Sequence, residues 1–98
     1  MSRKTFLEIQ VMCYKLISHS FATHHNPNMS PKDFNWEDFP EQMQRLCTTN
    51  LSLCCHIKEI EREECINFTF ILAKEIAEHL VKTMKLQDVF SNYGENSI

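Results

Sequence analysis

The sequence predicts an all-α domain, a small bundle of three to four helices, and three observations carry that prediction. Glycine occurs once, at Gly94, and proline only at Pro27, Pro31 and Pro40. No Gly or Pro interrupts the stretch from Glu41 to Tyr93. Apolar residues recur along the chain at three- and four-residue steps, the period of a helix with one buried face. Hairpins, sandwiches and phosphate-cradling loops need glycine for positive φ or for close backbone approach, so the same scarcity argues against them.

The first helix is expected over residues 4–22, where Phe6, Ile9, Cys13, Leu16, Ile17 and Phe21 share a face. Ser2 is a suitable cap, and Leu7, Val11, Met12 and Tyr14 widen the apolar region beyond one stripe, which predicts neighbours on two sides. A connector is expected over 24–40: His24 to Pro31 carries two prolines and two asparagines and has no helical period. Phe34, Trp36 and Phe39 follow, spaced to anchor this loop on the core or to form a short helical turn; anchoring is preferred over an exposed partner-binding patch.

Two further helices are expected, over about 41–62 and 65–85. In the first, Met43, Leu46, Cys47, Asn50, Leu53, Cys54, Ile57 and Ile60 trace one face, with Asn50 as a register-setting or capping amide. In the second, Cys65, Phe68, Leu72, Ile76, Leu80 and Met84 form the face, joined by Ala73, Ala77 and Val81. Ile66 to Leu72 also alternates with period two. A strand is rejected there because good helix formers follow and no turn residues adjoin it. Fused into one helix, 41–85 would reach roughly 65 Å at about 1.5 Å per residue and would have to pack as a long C-terminal helix or helical hairpin in a dimer. A bend near Thr48 to Asn50 or near Glu63 to Asn67 restores a monomeric bundle. Beyond about 88 the period is lost, and 88–98 is expected to be a frayed tail. The 98 residues are expected to make a single domain.

Composition narrows the function. Apolar residues make up 43% and charged residues 23%, values typical of a folded domain. The net charge is −3, and the ten Lys and Arg form no basic run, so nucleic acid is not an expected partner. Phe6 to Ile17 is broken by Glu8, Gln10 and Lys15, and no apolar run approaches the roughly 18 residues of a membrane span, so neither a signal peptide nor a membrane partner is expected. The five cysteines (13, 47, 54, 55 and 65) are odd in number and fall mostly on apolar stripes, as reduced core thiols do. An intracellular setting, cytoplasmic or nuclear, is expected. Asn-x-Ser/Thr triplets at Asn28, Asn50 and Asn67 carry little weight without a signal sequence.

Candidate chemistry is sparse. Cys54, Cys55, His56 and Cys65 are zinc-ligand types, yet adjacent cysteines on a helix diverge by about 100° and the paired Cys-x2-Cys spacing is missing. His19, His24 and His25 lack nearby carboxylates until Asp33. A catalytic thiol needs an electropositive, accessible site, whereas Glu59, Glu61, Glu63 and Glu64 would raise a nearby thiol's pKa. The expectation is a non-enzyme with no cofactor and no small-molecule substrate: an adaptor, regulatory or assembly subunit that pairs with a protein partner or with itself through apolar helix faces. Phe34, Trp36, Phe39, Ala73, Ala77, Leu80 and Met84 are the candidate interaction residues, Ala73 and Ala77 because two alanines one turn apart let another helix come close. A small Cys/His metal-binding regulator is the alternative.

Overall fold

In the computed structural model the first helix, α1, runs Arg3–His24. Its start is capped as Ser2 foretells. The Thr5 N–H donates to Ser2 Oγ at 3.2 Å, the Phe6 N–H donates to the Ser2 carbonyl at 3.0 Å, and the Ser2 and Thr5 hydroxyls are 2.9 Å apart. The Ser2 hydroxyl thereby satisfies one of the amides left open by a helix start, that of Thr5, while the Phe6 bond opens the helical ladder. The structure describes residues 1–24, 36–54 and 57–96, with side chains for 1–23, 36–54 and 57–85. Phe34, His25, Cys55 and His56 lie outside the described residues, as does the side chain of His24.

The chain re-enters at Trp36 and turns into α2, Phe39–Thr49. Pro40 stands in its first turn, where a missing N–H costs nothing, and Glu41 in the same turn complements the positive end of the helix dipole. Phe39, Met43, Gln44 and Cys47 make its buried face. The helix expected over 41–62 therefore ends much earlier, and the reason is local. Thr48 Oγ1 donates to the Gln44 carbonyl at 2.7 Å and to the Arg45 carbonyl at 3.2 Å, while Asn50 Nδ2 donates to the Leu46 carbonyl at 2.7 Å. These side chains bond the last-turn carbonyls and compete with continuation of the helix, which settles the role of Asn50 as a C-cap.

A 3-10 turn, Asn50–Leu53, follows, then extended backbone at Cys54 and Lys58, then a second 3-10 turn at Glu59–Glu61. The face projected through Leu53 and Ile60 does not survive this break: Leu53 is 66% exposed and Ile60 91% exposed. From Arg62 the last helix, α3, continues to Asn96. The stretch 41–85 is thus two helices, and Ile66 to Leu72, where a strand was the rejected alternative, is helical. The tail expected from about 88 is instead helical backbone as far as Asn96. Loss of amphipathic period removes a reason to pack, but Asp88 to Tyr93 contains nothing that breaks a helix already propagating from Arg62.

No strand occurs among the described residues. The three helices share a core of Ile9, Met12, Cys13 and Ile17 from α1, Phe39, Met43 and Cys47 from α2, and Cys65, Ala73, Ile76, Ala77, Val81 and Met84 from α3, with Trp36 and Leu51 beside α2. The contact of α2 with α3 is the most extensive. One polar group crosses into it: Gln44 Nε2 donates to the Phe70 carbonyl at 3.1 Å. Thr69, also buried, returns its hydroxyl to the Cys65 carbonyl at 2.7 Å, so its burial leaves no donor open.

Candidate interaction surface and the thiol cluster

Of the seven residues expected to carry docking, the six that are described belong largely to the chain's own core. Phe39, Ala73 and Ala77 are fully buried, Trp36 and Met84 nearly so, and Leu80 is partly buried against them. The aromatics act as anchors. Trp36 lies 5.5 Å from Phe39 and 5.4 Å from Phe21, ring centre to ring centre, with Phe21 and Phe39 6.1 Å apart, so three rings fasten the return of the chain after α1. Ala73 and Ala77 do what small residues a turn apart permit, close helix approach, within the molecule itself.

The exposed apolar residues are a different set. On α1, Leu7, Val11 and Tyr14 are about half exposed and stand at i, i+4 and i+7, so they line up along the helix face turned away from Ile9, Cys13 and Ile17. Leu7 and Val11 border a groove of about 480 Å³ whose far wall is Leu53 and Cys54, with Met12 and Leu16 as its floor and Glu8 and Lys15 at its edge. Tyr14 borders a smaller cleft between α1 and α3, opposite Leu72, Ile76 and Leu80. Phe6 rests on Phe68 of α3 at 4.7 Å between ring centres. On α3, Ile66, Phe70 and Ile71 are also exposed. The signal for the α1 stripe was present in the sequence as apolar residues in excess of one face. Both α2 and α3 contact α1, as that width implies, yet Leu7, Val11 and Tyr14 stay about half exposed.

Cys13 from α1 and Cys47 from α2 are both fully buried in the shared core. The Cys13 thiol is pushed up by its interaction with Cys47 and then by burial, while the same interaction lowers the Cys47 thiol against the opposing effect of burial. Cys54 is partly buried, and its thiol donates to Met12 Sδ at 3.7 Å. Cys65 lies at the start of α3, its thiol pushed up by burial and then by Glu61 and Glu64, the carboxylate effect expected from the sequence. The same two carboxylates hold the amino terminus: Met1 N is 3.4 Å from Glu61 and 3.5 Å from Glu64, which raises its pKa.

Among the described residues, no three or more His, Cys, Asp or Glu are grouped so as to hold a metal ion. Among them, too, no helix is long and apolar enough to cross a membrane. In comparison with known proteins, the chain matches no family model, no curated protein and no solved structure.

Proposed function

We propose that this chain is a non-catalytic interaction module that associates with a second copy of itself through the outer face of α1. The observation that supports the reading is the row Leu7, Val11 and Tyr14, continued across the groove by Leu53. Single exposed apolar residues are ordinary on a protein surface, but aligned ones on a rigid helix present a surface that another apolar helix can cover. The buried residues at Trp36, Phe39, Ala73, Ala77 and Met84 support the same location indirectly: they are engaged in internal packing, so an apolar docking face has to be sought elsewhere. Adaptor, regulatory and assembly roles all use a face of this kind, and the chemistry of the surface favours none of them over the others. The non-catalytic part of the reading rests on the residues themselves, since Cys13, Cys47 and Cys65 are buried in the apolar core and Glu61 and Glu64 engage the amino terminus.

Sedimentation equilibrium over a dilution series tests the proposal. The wild-type chain should gain mass with concentration, and a Leu7→Ser, Val11→Glu variant should stay monomeric while keeping its helical circular dichroism. Association of that variant at the wild-type concentration, or a wild-type chain that stays monomeric at the highest attainable concentration, would refute it.

A further inference from the structure

We propose that the second copy covers the outer face of α1 with its α3, so that Ile66, Phe70 and Ile71 of one chain lie on Leu7, Val11 and Tyr14 of the other. The inference rests on the reading that the chain self-associates through α1, and it adds what meets that face. Apart from Phe6, which is stacked on Phe68, the exposed large apolar residues of the two long helices form two groups, one on each helix. On α3, Ile66 and Phe70 stand one turn apart with Ile71 beside Phe70, so the three are neighbours on the helix surface. Either group could cover the α1 face of another copy, and charge decides between them.

The helix α1 carries Arg3, Lys4 and Lys15, all exposed, against Glu8 alone, which is half-buried. Lys4 precedes Leu7 by one turn and Lys15 follows Val11 by one turn, so cations flank the apolar row at both ends. Two such faces laid together set one net positive surface on another, which is unfavourable. The opposite sign is found on α3. From Glu63 to Glu78 it carries Glu63, Glu64, Glu75 and Glu78 against Lys74 alone, and Lys74 lies 3.9 Å from Glu78. Glu63 precedes Ile66 by one turn and Glu75 follows Ile71 by one turn, so carboxylates flank this apolar row as cations flank the other. Glu64 meets the amino terminus at 3.5 Å, yet its side chain remains 60% exposed. Apolar burial supplies the affinity of such a contact, and the unlike charges at its ends select α3 over a second α1. Each copy thus carries one face of each kind, and the two faces can be removed separately.

The test is complementation between two variants of the full chain, read by sedimentation equilibrium. Phe70→Gln, Ile71→Gln removes the α3 row with a residue that favours helix, and Leu7→Ser, Val11→Glu removes the α1 row. Each variant alone should associate roughly tenfold more weakly than wild type, or worse. An equimolar mixture should regain mass, because the intact α1 of one variant meets the intact α3 of the other. Ile71→Glu, at the more exposed of the two α3 positions, replaces the double Gln variant if that one loses helical circular dichroism. Suppose the α3 variants associate as wild type does while the α1 variant does not: the α1 faces then pair with each other, this proposal falls, and α1 stands as the docking face. A mixture no heavier than its components, beside a wild-type chain that associates, would also overturn it. A wild-type chain that stays monomeric sinks both readings together.

Discussion

Gln44 shows how one polar side chain can be accommodated in an apolar contact. Its amide is buried between α2 and α3 and donates to the Phe70 carbonyl, an oxygen with a second lone pair free beside its own helix bond. Gln44→Ala should lose that bond and leave a small void, costing about 1–3 kcal/mol in urea unfolding. Gln44→Leu should cost less, because it removes the donor but keeps the volume, and a Leu variant as unstable as the Ala variant would show that the bond outweighs the packing. The sequence could not single out this residue, since a glutamine beside a helix stripe gives no sign that a carbonyl waits across the interface. Trp36 and Phe39 were legible as anchors, because an aromatic cluster after a proline-rich segment has few exposed roles. At the amino terminus, the carboxylates of Glu61 and then Glu64 raise the α-amine above its ordinary value of 8.0. A cation whose folded pKa is raised contributes stability that is complete below the unfolded value and lost as pH rises through the folded one. In a chain beginning at Met1, the amine should therefore titrate above 8.0 by NMR, and Glu61→Gln should lower it more than Glu64→Gln does. The urea midpoint should fall as pH rises through that range, and less so in a variant lacking both carboxylates. Added salt should shrink the effect, as the pairs are at the surface.

At the scale of elements, the scarcity of glycine shapes how α2 stops. None of the described residues has positive φ, so α2, whose end lies within them, does not close in the left-handed cap that glycine usually supplies. α2 ends instead by tightening into a 3-10 turn while Asn50, at φ −91°, folds its amide back on the Leu46 carbonyl. An asparagine at a helix end is often replaceable by glycine with a gain, but only where the backbone is left-handed. Here Asn50→Gly should destabilise, by about 1 kcal/mol, through the lost bond and the freer unfolded chain. Asn50→Ala should cost a similar amount, and thermal melts of the two variants check the pair; a Gly variant more stable than wild type would contradict the cap geometry. The location of this break was half legible. Thr48 to Asn50 stood out as polar residues on a stripe, but apolar residues at helical spacing continue past them through Leu53, Ile57 and Ile60, and that pattern suggested a helix to residue 62. Periodicity records which residues could share a face; it does not record where side chains compete for the carbonyls that a helix needs. The same limit runs the other way at the end of α3, where helix continues without a buried stripe to mark it.

The whole molecule is long for its size. Its Cα radius of gyration is 16.3 Å, against roughly 13 Å for a compact domain of this length, and its extents are 59 × 22 × 17 Å. The 35 residues of α3 account for the length, since at about 1.5 Å per residue they reach roughly 52 Å, while the 22 residues of α1 reach roughly 33 Å. An elongated shape gives each helix less neighbouring surface, and apolar residues that a rounder bundle would cover remain at the boundary, as Leu7, Val11 and Tyr14 do. Association through them would be driven by removing apolar area from water, and this fixes its response to salt. Screening weakens contacts between surface charges within the first few hundred millimolar of a neutral salt, whereas excluded anions such as sulfate strengthen apolar burial. The dissociation constant of the self-associated chain, followed by sedimentation, should therefore change little as sodium chloride is raised and should fall when sodium sulfate is added. If sodium chloride alone dissolves the complex, the contact is held by charge, and Glu8 and Lys15 at the edge of the α1 groove become the residues responsible in place of Leu7 and Val11.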